Sequence, residues 1–165
     1  MTPITIRAVR AEDVPVLYRM LRESAVEQGG EHKLCANPEN LVQDGFESRP
    51  PRFQCLLAEC GGEAAGIALY FPVYSTWISR TALYLEDLYV TPEFRRRGVA
   101  RALMQELAAV AQAEGCGFIR WLVLRDNSRA IRFYESLGAQ LGENWPSMLI
   151  EGDALSALAR SATSP

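Results

Sequence analysis

One short stretch of the chain joins a strand pattern to a helix pattern: Arg95-Arg96-Arg97-Gly98-Val99-Ala100. The run before it, residues 83–90, reads as a strand, and the run that it opens, residues 99–113, reads as a helix. The first N–H groups of a helix have no partner inside it, and the helix dipole adds partial positive charge at that end. Three arginines add full charge there, while the small Gly98 and Ala100 let a ligand approach the backbone. The stretch therefore predicts a site for a phosphate or pyrophosphate group.

The length and composition predict a single domain, residues 1–165, with room for a full hydrophobic core. Of the 165 residues, 48% are hydrophobic and 22% are charged, as in an ordinary globular protein. The formal net charge is −3, so the three arginines form a local basic cluster on an acidic molecule. We therefore expect no nucleic-acid partner.

The cysteines and the N-terminus predict a soluble protein of the cytoplasm. Cys35, Cys55, Cys60 and Cys116 form no Cys-x-x-Cys pair, which argues against a zinc site and favours reduced thiols. The first residues lack the apolar run of a signal peptide, and no stretch is long and apolar enough to span a bilayer. We expect no metal and no membrane partner.

The apolar periodicity predicts elements in the order β-α-α-β-β-β-α-β-α-β. Hairpins come first and strand-helix-strand crossovers follow, which indicates a mixed sheet with helices on both faces. Pro72 should break the third strand, and the very apolar residues 118–124 should form a buried central strand. The predicted strands are 4–9, 53–60, 65–74, 82–91, 118–124 and 148–150, and the predicted helices follow Asp13 and span 37–45, 99–113, 129–137 and 153–160.

Two motifs give the chain a family resemblance. The arginine-rich stretch fits the Gln/Arg-x-x-Gly-x-Gly/Ala signature of the GCN5-related N-acetyltransferases (GNAT), and residues 127–139 resemble their Asn-x-x-Ala-x-x-Phe-Tyr helix with its following Gly-Ala. Residues 44–46, 55–59, 77–78 and 84–90 resemble the diamine (spermidine/spermine) N-acetyltransferase branch. The resemblance implies the α/β (α+β) GNAT fold, with a central mixed, mostly antiparallel, twisted sheet, and a homodimer.

The resemblance also implies acetyl-CoA as co-substrate and a set of residues that hold it. Main-chain N–H groups past Phe94 should hold the pyrophosphate. The backbone of the fourth strand should bind pantetheine and the acetyl oxygen, across a gap that opens towards the strand near Trp121. The expected binding residues are Leu88, Tyr89, Val90, Arg95, Arg96, Arg97, Gly98, Val99, Ala100, Arg101, Asn127, Arg129 and Ala130.

Two adjacent carboxylates are candidates for activating an amine. An alkylammonium has a pKa near 10.4, so only about one molecule in two thousand is neutral at pH 7, and a carboxylate that takes its proton would speed the reaction. Strict alternation along a strand puts Leu85, Asp87 and Tyr89 on one face and Glu86, Leu88 and Val90 on the other. The resemblance selects Glu86 as the catalytic carboxylate. The alternative is a paired strand carboxylate without a catalytic role.

Tyr134 is the candidate general acid, because a phenol with a pKa near 10 can protonate a departing thiolate. The alternative is that Tyr134 only packs in a core with Phe133. The acceptor site is less well defined, and the residues expected to bind the amine are Glu27, Glu86, Asp87, Trp121 and Trp145.

Together these residues predict an N-acetyltransferase that moves the acetyl group of acetyl-CoA to a primary amine by direct attack in a ternary complex. The acceptor would be a diamine, a polyamine or a lysine-like amine. Two alternatives are an acetyltransferase of protein lysines or N-termini and a non-catalytic acyl-CoA-binding sensor. The sensor would not need Glu86 or Tyr134.

Overall fold

A five-stranded mixed sheet forms the centre of the protein, in the spatial order β1-β2-β3-β4-β5. The first three pairings are antiparallel and the last, β4 with β5, is parallel. The strands are β1 (Ile4–Ala8), β2 (Gln54–Cys60), β3 (Glu63–Ser75), β4 (Arg80–Val90) and β5 (Ile119–Arg120). The fold class predicted from the sequence is confirmed.

The computed structural model describes residues 2–142 and 147–161, without the side chain of Ser161. Internal contacts divide the chain into two compact units, one ending at Val123 and the other beginning at Leu124. The first unit contains the whole sheet, and each unit is described by itself. A single domain over residues 1–165 stays a prediction.

Helices cover both faces of the sheet in the first unit. On one face, α1 (Val14–Glu27) and α2 (Pro38–Val42) pack on the side chains of strand residues such as Leu57, Ile67 and Leu69. On the other face, which carries Tyr70, α3 (Val99–Ala113) packs through its apolar stripe. The pKa of Tyr70 rises to about 12, mainly because the side chain is buried and partly because Glu114 and Glu106 lie close to it.

The short helices fit their sequence signals. Asn37 caps α2, because its side chain accepts a hydrogen bond of 2.8 Å from the Asn40 N–H. A π-helical turn, Gln43–Glu47, continues α2, and single 3-10 turns occupy Ala11–Asp13, Glu31–Lys33 and Pro92–Phe94.

The hairpin of β2 and β3 turns at Gly61-Gly62, with φ of +62° and +86°, which suits the left-handed turn that joins two twisted strands. The prediction that Pro72 breaks β3 is wrong. Pairing of β3 with β2 ends at Tyr70, opposite Gln54, so one side of β3 is open at Pro72 and the missing N–H costs no bond there.

Two other strand predictions are wrong. Of residues 118–124, only Ile119 and Arg120 form a strand, at the edge of the described sheet. Phe118, Leu122 and Leu124 are exposed, so apolar composition in this segment does not mark a buried central strand. Residues 148–150 form no strand and are also exposed.

The second unit contains two helices in its described part, α4 (Ser128–Glu135) and α5 (Gly152–Ser161). Gly138, just after α4, has a φ of +91°, the left-handed conformation that commonly ends a helix. Among the residues that the structure describes, no helix is long and apolar enough to cross a membrane.

Candidate active site

The arginine-rich loop leads directly into the N-terminus of α3. Arg96 and Gly98 adopt left-handed backbone conformations, with φ of +60° and +89°, and they turn the chain sharply into the helix. The Ala102 N–H makes the bond to the Gly98 carbonyl, at 2.9 Å. The N–H groups of Val99 and Ala100 precede that bond and have no acceptor within α3. This end of the helix is therefore suited to an anion.

The three arginines of the loop differ in their contacts. The Arg95 guanidinium donates to the Val90 carbonyl at 2.8 Å and to Glu27 Oε1 at 2.5 Å. It also lies over the ring of Tyr89, 5.6 Å from the centroid. The positive charge of Arg95 is therefore paired with the carboxylate of Glu27. From the sequence, we expected Glu27 to bind the amine substrate. No local pattern in the sequence indicates this pairing.

Arg96 and Arg97 are exposed. The Arg97 guanidinium lies over the Phe94 ring, 5.5 Å from its centroid, which limits its motion without neutralising its charge. Of the three arginines in the stretch, Arg95 is in an ion pair, whereas the charges of these two are available to a phosphate group.

β4 contains a β-bulge at Glu86. Asp87 pairs with Leu69 of β3, whereas Leu85 pairs with the next residue of β3, Tyr70, so Glu86 is an extra residue without a partner. Leu69 and Tyr70 face opposite sides of the sheet, and Leu85 and Asp87 therefore do so as well. The predicted sharing of one face by Leu85, Asp87 and Tyr89 is wrong, because strict alternation fails at a bulge.

The bulge puts the two adjacent carboxylates in different surroundings. Glu86 is exposed. Burial raises the pKa of Asp87 to about 6, with a further contribution from the charge of Glu86. Asp87 also lies close enough to the buried thiol of Cys55 to add to the rise in the pKa of that thiol, of which burial is the main cause. A carboxylate that titrates near neutral pH is a feature of many active sites, and the sequence had not distinguished Asp87 in this way.

One edge of β4 is open beside these carboxylates. Its pairing with β5 consists of Leu83 with Ile119 and Tyr84 with Arg120. Within the described residues, no strand pairs with that side of β4 beyond Tyr84. The segment that follows contains Leu88 and Val90, the residues whose backbone was predicted to bind the coenzyme, and half-buried Trp121 comes directly after β5. This unpaired stretch of β4 lies where the resemblance implied a gap between the two strands, and the gap itself stays a prediction.

The remaining predicted residues belong to the second unit. The Asn127 side chain caps α4 by accepting a hydrogen bond of 3.0 Å from the Ala130 N–H, and Arg129 is exposed on the first turn. Burial raises the pKa of Tyr134, so its phenol is protonated at neutral pH, and its ring lies 5.2 Å from that of Phe133. Trp145 lies outside the described residues.

A comparison with protein-family models shows which family the chain belongs to. The family model described as "Acetyltransferase (GNAT) family" matches residues 16–139, a span that includes the bulge, the arginine-rich loop and α4. The chain belongs to the GNAT acetyltransferase family. The family resemblance inferred from the sequence motifs is confirmed.

Two curated relatives and one solved structure refine this assignment. Thialysine N-epsilon-acetyltransferase of Mus musculus is 37% identical over 170 residues, which covers 96% of this chain and 99% of that protein. Spermidine/spermine N(1)-acetyltransferase-like protein 1 of Homo sapiens is 30% identical over 141 residues, 81% of this chain and 20% of that protein. An integron cassette protein from the mobile metagenome of V. cholerae, 23% identical, has the same fold, with a TM-score of 0.78 over 97% of this chain and 99% of the other.

These relatives place this GNAT chain in the diamine acetyltransferase branch. It is an enzyme that transfers the acetyl group of acetyl-CoA to the nitrogen of a small amine. The predicted activity is thereby confirmed, and neither a protein acetyltransferase nor a non-catalytic sensor is supported.

Proposed function

We propose that this enzyme acetylates the terminal side-chain amine of a short diamino acid of the thialysine type. The observation that carries the proposal is the carboxylate pair Glu86 and Asp87 on the bulge of β4, beside the open edge of that strand. The near full-length similarity to a thialysine acetyltransferase supports a lysine-like acceptor. Diamines are the second candidates, because a related human protein is named for spermidine and spermine.

The carboxylate pair prepares the amine for attack. Exposed Glu86 attracts the ammonium group and takes its proton, directly or through water, as the resemblance implied. Burial, and then the charge of Glu86, raise the pKa of Asp87 to about 6, so Asp87 becomes a charged proton acceptor only above that pH. A base whose pKa lies near the working pH is the most effective proton acceptor.

Acetyl transfer then follows in a ternary complex. The neutral nitrogen attacks the thioester carbonyl carbon, the new C–N bond forms, and the C–S bond breaks with its electron pair on sulfur. A main-chain N–H on the open edge of β4, at Leu88 or Val90, stabilises the negative charge that develops on the carbonyl oxygen. Tyr134, kept protonated by burial, gives its proton to the thiolate.

The loop and the start of α3 hold the co-substrate in this proposal. The N–H groups of Val99 and Ala100 and the exposed charges of Arg96 and Arg97 bind the pyrophosphate. Arg95 is paired with Glu27 and stabilises the conformation of the loop instead of binding the phosphate. The cysteine pattern and the N-terminal sequence favour the cytoplasm as the compartment, and the resemblance to the diamine branch favours a homodimer.

Initial-velocity kinetics with the purified full chain test the proposal. Thialysine and acetyl-CoA are varied together, and the acetylated product is identified by mass spectrometry. Direct attack predicts intersecting double-reciprocal lines and acetylation of the side-chain amine, with lower kcat/KM for a lysine-containing peptide. Parallel lines would indicate an acyl-enzyme, and a preference for the peptide would refute the proposed acceptor.

A further inference from the structure

We propose that Arg120 binds the α-carboxylate of the acceptor and thereby selects a diamino acid over a diamine of the same length. This inference rests on the proposed function and deepens it, because it assigns a residue of β5 to the one charged group that a diamine lacks.

Arg120 carries a positive charge that is available to an anion. The residue is exposed on β5, and in the part of the chain that the structure describes its guanidinium makes no ion pair. The guanidinium lies over the ring of Tyr84, the pairing partner of Arg120 in β4, 5.7 Å from the ring centroid. This contact limits the motion of the guanidinium without neutralising its charge.

A second aromatic side chain supports the ring of Tyr84. Phe71 of β3 is opposite Tyr84 in the register, and the two rings stack with centroids 5.2 Å apart and planes 23° from parallel. Both side chains are half-buried. The stack fixes the surface on which the guanidinium lies, so the arginine loses less freedom when it binds a carboxylate.

The aromatic stack lies on the same face of the sheet as Asp87. Phe71 and Leu69 are two residues apart on β3, so their side chains share a face. Tyr84 is opposite Phe71, and Asp87 is opposite Leu69. The carboxylate that is proposed to receive the proton and the arginine that is proposed to bind the acceptor are therefore on the same side of the sheet.

The two ends of this site carry opposite charges. Burial raises the pKa of the Tyr84 phenol, the charge of Glu86 adds to the rise, and the charge of Arg120 opposes it. The phenol is thus close to both charged groups, yet Glu86 and Arg120 form no ion pair with each other among the residues described. A side-chain ammonium at Glu86 and an α-carboxylate at Arg120 would match this arrangement.

The spacing fits an amino acid of this length. Two residues along a strand span about 7 Å, comparable with the distance between the side-chain nitrogen and the α-carboxylate of an extended lysine-like acid. Five residues of β3 separate Phe71 from Gly66, which is opposite Val90, so about 17 Å separates the stack from the end of β4 that leads to the arginine-rich loop. Arg120 is therefore too distant to bind the pyrophosphate at that loop.

The test compares thialysine with bis(2-aminoethyl) sulfide, the diamine that has the same chain of atoms without the carboxylate. Initial velocities give kcat and KM for both amines with the wild-type enzyme and with Arg120→Gln. We expect the KM for thialysine to rise about tenfold or more in the variant, the effect of losing a hydrogen bond to a charged group. The KM for the diamine should stay unchanged or fall, because its second ammonium is repelled by the arginine.

Two further variants make the comparison specific. Arg120→Lys keeps the charge but loses the planar fork that matches a carboxylate, so it should retain part of the preference for thialysine. Arg80→Gln is the matched control, because Arg80 is an exposed arginine at the start of β4. It is opposite Ser75 and so lies on the same face of the sheet, but farther from the carboxylates. It should leave both KM values unchanged.

The outcomes separate the inference from the proposed function. An equal rise in KM or an equal loss of activity for the two amines with Arg120→Gln, or an unchanged KM for thialysine, would overturn the inference alone. A lack of acetylated thialysine with the wild-type enzyme would overturn the proposed function and the inference with it.

Discussion

Asp87 has the same side chain as any aspartate, and its position on the bulge gives it a different chemistry. Register puts it opposite Leu69, on the face that α1 and α2 cover, and burial beside Glu86 raises its pKa. A desolvated carboxylate of this kind weakens the fold when it is charged, and a raised pKa at such a position suits a role in proton transfer.

The stability of the protein should therefore depend on pH through Asp87. Its pKa is about 6 in the folded state and 3.8 ordinarily, so the folded protein binds the proton more tightly. The stability that this proton contributes is complete below pH 3.8 and is lost as the pH rises through about 6. Asp87→Asn should raise the free energy of unfolding by about 1–3 kcal/mol at pH 8 and by much less at pH 4.5.

Urea unfolding at the two pH values measures this difference, with Asp126→Asn, an exposed position, as the control. An equal change at pH 8 and pH 4.5 would contradict a raised pKa for Asp87.

Tyr134 can be tested separately from binding. Tyr134→Phe removes the phenolic proton and keeps the ring, so kcat should fall about 10²-fold, the lower range for a general acid. The Kd for acetyl-CoA, measured by calorimetry, should stay close to that of the wild-type enzyme. Tyr74→Phe, at an exposed tyrosine, should change neither quantity. An unchanged kcat for Tyr134→Phe would remove this residue from the mechanism.

At the scale of elements, local signals predicted α3 well and the edges of the sheet poorly. The bounds of α3 are those that the sequence predicted, because Gly98 before it and Gly115 after it mark both ends locally. The bulge at Glu86 depends on the register with β3, which composition does not reveal. Segment 118–124 is apolar, yet whether it lies between two strands depends on distant parts of the chain, so the predicted central strand was wrong.

In the candidate site, too, local features could be predicted from the sequence and long-range contacts could not. Motifs located the loop and the adjacent carboxylates by sequence alone. The pair of Arg95 with Glu27 joins residues 68 positions apart, and such a contact becomes visible only in the folded chain. The raised pKa of Asp87 likewise depends on how deeply the neighbouring elements bury it.

Gly66 controls how closely β3 approaches the end of β4. A Cβ atom at Gly66 would lie 2.6 Å from the Tyr89 carbonyl oxygen, a backbone atom that cannot turn away. Gly66→Ala should therefore push the two strands apart and destabilise the protein by about 1–3 kcal/mol, the usual cost of overpacking.

Urea unfolding checks this expectation. Gly142→Ala is the matched control, because no atom of the described residues lies within 4 Å of a Cβ at that position. Equal stability of the Gly66→Ala variant and the wild-type protein would show that β3 and β4 can separate at no cost.

At the scale of the whole molecule, the charge distribution affects how an anionic co-substrate binds. The protein carries a net charge of −3, so the exposed arginines of the loop must provide local attraction. Replacing Arg96 and Arg97 together by Gln should raise the KM for acetyl-CoA about tenfold at low salt. The increase should shrink in about 0.5 M salt, because salt screens exposed charges.

The same loss of charge at Arg10 and Arg52, which pair with Glu12 and Asp44 elsewhere on the surface, serves as the control. Similar increases in KM for the two double variants would mean that net charge matters and the loop does not.

The proposed mechanism requires main-chain N–H groups of the loop and the first turn of α3 to bind the pyrophosphate of acetyl-CoA. Titration of CoA into the ¹⁵N-labelled full chain, followed through assigned amide resonances, tests it most directly. We expect the largest shifts at the N–H groups of residues 96–101. Saturable binding of CoA that leaves these resonances in place, or no binding at millimolar CoA, would contradict it.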